Sequence, residues 1–331
     1  MKSTNTIECA SDCSLPMALT NHTRAPAPPN SAAAKWWRVA LRNCGPYERV
    51  TLGYLCLSNL LLLIFHNNQS NAEKYFFLHG AIGAGILALV WAAERWPSSG
   101  LHFVRHWYPF ALFIYFFEEL HHIVHLIFPG WFDHWLIAFD FALFGAHPTV
   151  WLEQFASPAA NDVMAFFYLT YYLYTVVLAG VLYASKEMRA FWIVMTATAT
   201  AYVMGYLIAV VFPIEGPYHT LRALQQGPLA AGPVTALMEF IQRFGRVHGA
   251  AFPSLHVAGA FVALLGARQF ARRLFWVFLP LFAAMCVSTV YGRYHYAADV
   301  FGGLIIGAVG FWIAEKWEAS SAKEVEEVEE V

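Results

Sequence analysis

The chain is short of charge. Of 331 residues, 13% are Asp, Glu, Lys or Arg, about half the share in a soluble globular chain. What charge there is nearly cancels: 20 basic against 22 acidic residues leave a net −2, which excludes a strongly basic nucleic-acid-binding surface. Cysteine is scarce and odd in number. Cys9, Cys13, Cys44, Cys56 and Cys286 are scattered and form neither a disulfide framework nor a zinc pattern. The first 46 residues lack the apolar run of a signal peptide. Their polar, Pro-rich composition, including Ala25-Pro26-Ala27-Pro28-Pro29, predicts a disordered cytoplasmic tail.

Apolar residues are present in excess. They make up 59% of the chain, with 28 Phe, 16 Tyr and 12 Trp. No soluble core of this size buries so much apolar surface, so lipid must cover much of it. The expected fold is therefore an all-α, polytopic integral membrane protein. Eight apolar stretches of roughly ~20 residues, the length a bilayer demands, fall near 48–65, 75–93, 107–127, 161–183, 190–211, 252–270, 274–291 and 297–314. Two N-terminal spans occupy 47–106, a six-helix bundle occupies 107–315, and an acidic tail, read as a solvated, frayed helix, fills 316–331. Trp131–Gly145 is apolar but broken by Asp133, His134 and Asp140, which suits a helix lying at the interface. Trp36 to Arg42 reads as a short interfacial helix or as the flank of the first span.

Orientation follows from Lys and Arg. With both termini cytoplasmic, 15 of the 20 lie inside and 5 lie outside. That arrangement puts three polar segments on one outer face: Phe212–His219, Phe252–His256 and Ser288–Asp299. Pro253 suits the first turn of a helix, whose open backbone N–H groups near Ser254 and Leu255 favour an anion. His256, one turn in, can give or take a proton there. His295 and Asp299 are spaced i, i+4 on one helix face. The carboxylate can hold one imidazole nitrogen and leave the other as a nucleophile. Arg293 offers a planar donor fork for phosphate. The set points to phosphoryl transfer.

These residues carry a resemblance. Ser288…His295…Asp299 with Val300-Phe301-Gly302-Gly303 resembles the third signature of the type-2 phosphatidic acid phosphatase superfamily. Pro253-Ser254-Leu255-His256 is similar to its second, Pro-Ser-Gly-His. The Phe before Pro, the Leu for Gly, and Asp140-Phe141-Ala142-Leu143-Phe144-Gly145 with His147-Pro148-Thr149 resemble the branch of inositol phosphorylceramide synthases and inositolphosphotransferases. The resemblance covers roughly 105–315. It implies a phosphatase-like catalytic bundle with His295 as the nucleophile forming a phosphohistidine, Asp299 orienting it and His256 protonating the leaving group. Ser254 and Arg293 would hold phosphate oxygens. Two departures stand out: Thr289 replaces the family Arg beside Ser288, and the first signature, Lys followed by Arg-Pro, is absent. Arg222 and His219 are its nearest substitutes.

The third span carries a competing cluster. Glu118/His121 and Glu119/His122 are Glu-x-x-His pairs, the spacing of carboxylate-bridged metal sites, and His125 lies one turn from His121. A di-metal membrane oxidoreductase is the alternative function. The plainer readings of the cluster are a span end among headgroups, a wall of the substrate cavity, or helix–helix hydrogen bonds. The leading expectation is a lipid-phosphate hydrolase or phosphotransferase at the outer face. It needs no metal or other cofactor, because Arg, backbone N–H groups and His256 supply the electrostatics. Its substrate is a phospholipid or other lipid phosphate and its acceptor water or an alcohol such as inositol; the residues leave that choice open.

Overall fold

The computed structural model describes residues 36–329 apart from Pro228, Ala230, Ala231 and Arg246. The expected N-terminal tail thus lies almost wholly outside the described residues. The first half of the chain forms α1 (Trp36–Asn43), α2 (Pro46–Ile64), α3 (Ala72–Arg95), α4 (Ser99–Ile123), α5 (Asp133–Phe144), α6 (Pro148–Trp151) and α7 (Pro158–Leu169). Then come α8 (Tyr171–Ala184), α9 (Met188–Val211), α10 (Pro217–Thr220), α11 (Pro233–Gly245), α12 (Leu255–Phe270), α13 (Arg272–Tyr291) and α14 (Ala297–Glu329). The all-α expectation holds. Among the described residues the only strand-like pairing is one parallel bridge, Ile214 with Ala250.

Among the described residues, six helical stretches are long and apolar enough to cross a bilayer: 46–64, 72–95, 158–184 (α7 with α8), 188–211, 272–291 and 297–318. Two expected spans fall short of that test for visible reasons. α4 ends in its Glu/His cluster, and α12 has 16 residues. The segment expected at the interface folds as α5, turns at Gly145 in the left-handed conformation (φ 69°), and continues into 148–155 at a bend of 62°. A residue past a helix end adopts that conformation most cheaply when it is glycine. The acidic run, expected as a solvated helix, continues α14 to Glu329.

Apolar side chains cover the outside, as lipid contact requires: Phe77 is 73% exposed, Ile114 67% and Ile305 63%. The centre is α9, with 78% of its apolar window buried. Small residues explain the depth. Ala197, Ala199, Ala201 and Gly205 let α12 and α14 approach α9 closely, the usual basis of helix association in lipid. A Cβ on Gly310 of α14 would sit 2.7 Å from the Ala197 carbonyl oxygen, and one on Gly303 2.5 Å from that of Ser254. Backbone therefore meets backbone where α14 crosses α12. That crossing is where His256 and Asp299 belong.

Candidate active site

His256 lies in the first turn of α12, and His295 just precedes α14. Local chemistry sets both helix starts. Ser254 is the N-cap of α12: its hydroxyl accepts from the Val257 N–H at 3.3 Å, and its own N–H donates to the Asp299 carbonyl at 3.0 Å. The expectation of an outward-facing N–H at Ser254 is thereby corrected, since the α12–α14 contact consumes it. The start of α14 is held by Asp140, whose two carboxylate oxygens accept from Ala297 N–H and Ala298 N–H at 2.9 Å each.

The two histidines and the aspartate come together. His295 Nδ1 lies 2.9 Å from the Ala251 carbonyl and 3.2 Å from Asp299 Oδ2. Both neighbours are acceptors, so Nδ1 carries the hydrogen and Nε2 keeps its lone pair. His295 Nε2 faces His256 Nδ1 at 3.3 Å, and His256 Nε2 meets the Tyr168 hydroxyl at 2.9 Å. Assigned from this network, one direction of donation runs through the chain: Tyr168 to His256, His256 to His295, His295 to Asp299. Asp299 is fully buried, its Oδ2 also accepts from Tyr296 N–H at 2.8 Å, and its Oδ1 has no partner. The arrangement fixes a tautomer and presents one nitrogen for reaction.

These groups lie against a cavity of about 600 Å³. Its walls are mostly aromatic and apolar, with Trp107, Phe110, Phe113 and Phe117 along one side, and Glu118, Glu215, His219, His248 and Arg293 among the polar residues. Arg293 is 4% exposed with φ 64°. Its Nη1 donates to the Gly227 carbonyl and its Nη2 to Glu153 Oε1, each at 2.6 Å, while Nε has no partner. Arg293 also lines a second, more polar cavity of about 530 Å³ with Arg222, Gln225 and Arg243. Arg222 thus stands in the second cavity, against the Tyr218 ring, and His219 in the first.

With this geometry in view, the comparison with known families is decisive: the PAP2 superfamily matches residues 134–313, more than half of the chain. The chain belongs to the PAP2 superfamily. No curated protein and no solved structure matches it. The match begins in α5 and ends within α14, so the two N-terminal spans and α4 lie outside the PAP2 region.

Several residues that build this candidate site carry no mark of it in the sequence. Asp133 holds the 212–219 loop: its oxygens accept from Glu215 N–H, Gly216 N–H and the Tyr296 hydroxyl, each at 2.8 Å. Burial and that carboxylate push the Tyr296 phenol well above its usual range, so it stays a donor. Asp133 and Asp140 are two helical turns apart on α5, a spacing that could have marked a shared inward face. Tyr168 and Glu153 carried no local signal; only the fold brings them near.

The Glu/His cluster of α4 does not assemble. Glu118 lines the large cavity, Glu119 turns to the buried His79 at 2.6 Å, and His125 Nδ1 meets the Phe128 carbonyl at 2.9 Å. Neighbours one turn apart on a helix form a site only when their side chains converge, and these point to different partners. Among the described residues, the group of three with convergent ligand atoms is Glu215, His219 and His248. The di-metal alternative on α4 therefore lacks its ligand set.

Proposed function

We propose that the chain transfers the phosphoryl group of a lipid phosphate through a phosphohistidine at His295. The observation that carries this reading is the directed chain from Tyr168 through His256 and His295 to Asp299, at the wall of a large apolar cavity. A lipid phosphate arriving as its monoanion gives its proton to His256; His295 Nε2 then attacks phosphorus, the N–P bond forms as the bond to the lipid oxygen breaks, and that oxygen takes the proton from the charged His256. The acceptor oxygen then attacks phosphorus, the N–P bond breaks, and His256 takes the acceptor's proton. The Tyr168 hydroxyl can donate to the neutral His256 ring or accept from the charged one, so the ring keeps its place through both steps. Both covalent steps use side chains of this chain alone.

No phosphorus atom fits between two nitrogens 3.3 Å apart, so His256 gives way as substrate binds. Arg293 Nε, buried and unpartnered, supports a role in holding a phosphate oxygen, as does the place of His219 on the same cavity. Apolar walls suit the lipid, and the adjoining arginine-lined cavity, where Arg222 stands, suits a polar acceptor such as inositol. The 15-to-5 distribution of Lys and Arg supports cytoplasmic termini and an active site at the outer face. Protein in detergent given a radiolabelled lipid phosphate should retain acid-labile, base-stable label that is lost in His295→Ala. Turnover without such label in rapid quench would overturn the reading.

A further inference from the structure

We propose that Glu215, His219 and His248 form a binding site for a divalent transition-metal ion, zinc being the best fit, at the wall of the large cavity. The imidazole nitrogens and carboxylate oxygen they offer lie within 4.8 Å of one another. His248 Nε2 stands 3.2 Å from Glu215 Oε1. Two ligands on a tetrahedral zinc at bond lengths near 2.1 Å are about 3.4 Å apart, so this pair is already at ligand spacing.

The backbone builds the cluster. The bridge between Ile214 and Ala250, with Ala251 N–H donating to the Ile214 carbonyl at 3.2 Å, pins the loop carrying Glu215 to the segment carrying His248. Asp133 fixes the same loop through the Glu215 and Gly216 N–H groups. His219 stands one turn after Glu215, in α10, and its ring is 4.4 Å from that of His248. Two imidazoles and one carboxylate are a set that zinc binds with a fourth position left open.

The surroundings give that position a ligand. All three residues line the cavity that also holds His256 and His295. Among the described lining residues Arg293 is the only permanent cation, and two of its nitrogens are already engaged by Glu153 and Gly227. Glu118 and Glu215 add negative charge to the same walls. A phosphate carries roughly two negative charges at neutral pH, and a dication there would reverse the balance by taking one phosphate oxygen as its fourth ligand. The ion's role as a phosphate clamp rests on the proposed function; its binding does not.

The full chain in detergent, stripped with chelator, is titrated with Co²⁺ and followed by visible absorption, with Zn²⁺ as competitor. Wild type should bind a single equivalent that Zn²⁺ displaces. Losing an outer-shell partner alone weakens metal sites by ~10–100-fold, so Glu215→Gln, His219→Ala and His248→Gln should each weaken binding by more than ~100-fold. His295→Ala should leave it intact. Far-UV circular dichroism and thermal unfolding check that each variant is folded; the His248 side chain is 44% exposed, so its replacement leaves little buried space unfilled. Absence of saturable Co²⁺ binding, or binding that folded His248→Gln retains, overturns the site. Inorganic phosphate should shift the Co²⁺ spectrum; an unchanged spectrum overturns the clamp. Because these readouts need no turnover, they are separate from phosphohistidine trapping, which tests the proposed function on the stripped protein.

Discussion

Replacing His256 with alanine removes the ring 3.3 Å from the reactive nitrogen of His295 and leaves Asp299 and the Ala251 carbonyl where they are. On the proposed mechanism the nucleophile survives with its tautomer fixed, and what is lost is the proton for the departing oxygen. General acid catalysis contributes ~10²–10⁴-fold, equal to about 2.7–5.4 kcal/mol of barrier. A lipid alkoxide is a poor leaving group and should show the whole loss in kcat. The p-nitrophenolate of p-nitrophenyl phosphate departs unaided, so on that substrate His256→Ala should lose much less. His295→Ala has no such rescue, because no N–P bond can form. The measurement is the ratio of activities on the two substrates for each variant, with phosphoenzyme trapped in parallel. Rescue of His295→Ala but not of His256→Ala would reverse the roles, and full activity of both would make the pair structural.

Other substitutions probe the supports. Asp299→Asn should keep the fold and lose rate, since the carboxylate fixes the imidazole and stabilises its charged form; unfolding and activity assays together check this. Tyr168→Phe removes the hydrogen bond to His256, worth ~0.5–1.5 kcal/mol, and should slow turnover by ~2–13-fold without abolishing phosphoenzyme. Gly303→Ala drives a Cβ to 2.5 Å from the Ser254 carbonyl and should cost about 1–3 kcal/mol, read as an earlier unfolding midpoint in detergent. Leu224→Cys and Arg272→Cys, both at exposed positions, should react with impermeant maleimide from opposite sides once the native thiols are removed; reaction from one side would refute the eight-span topology.

Much of the bundle was legible because lipid imposes a long apolar run on every span, and six of the eight expected stretches pass that test as helices. α12 was harder to delimit, since Pro253 and the N-cap Ser254 shorten it to 16 residues. The meeting of His256, His295 and Asp299 was foreseeable from their helical spacing and shared face. Tyr168 and Glu153 were not, because they reach the site from helices far away in sequence, where no local pattern records the contact. Asp133 and Asp140 looked like interruptions of an apolar stretch. They are instead buried carboxylates that occupy backbone N–H groups of the loop and of α14. The α4 cluster misled for the opposite reason: periodicity places residues on a face but does not say which partners they meet.

The crossing of α12 and α14 has a mechanical consequence. Gly303 rests against the Ser254 carbonyl, and the Ser254 N–H is tied to Asp299. The tightest contact between the two helices thus coincides with the reacting groups, and it runs on for another turn, where a Cβ on Gly307 would sit 2.9 Å from the Ala258 carbonyl oxygen. The spacing of His256 and His295 is thereby tied to a backbone-to-backbone clamp. The apolar walls of the cavity belong to other helices, α4, α8 and α9 among them, so side chains there can differ in bulk without loosening the joint that holds the reacting groups.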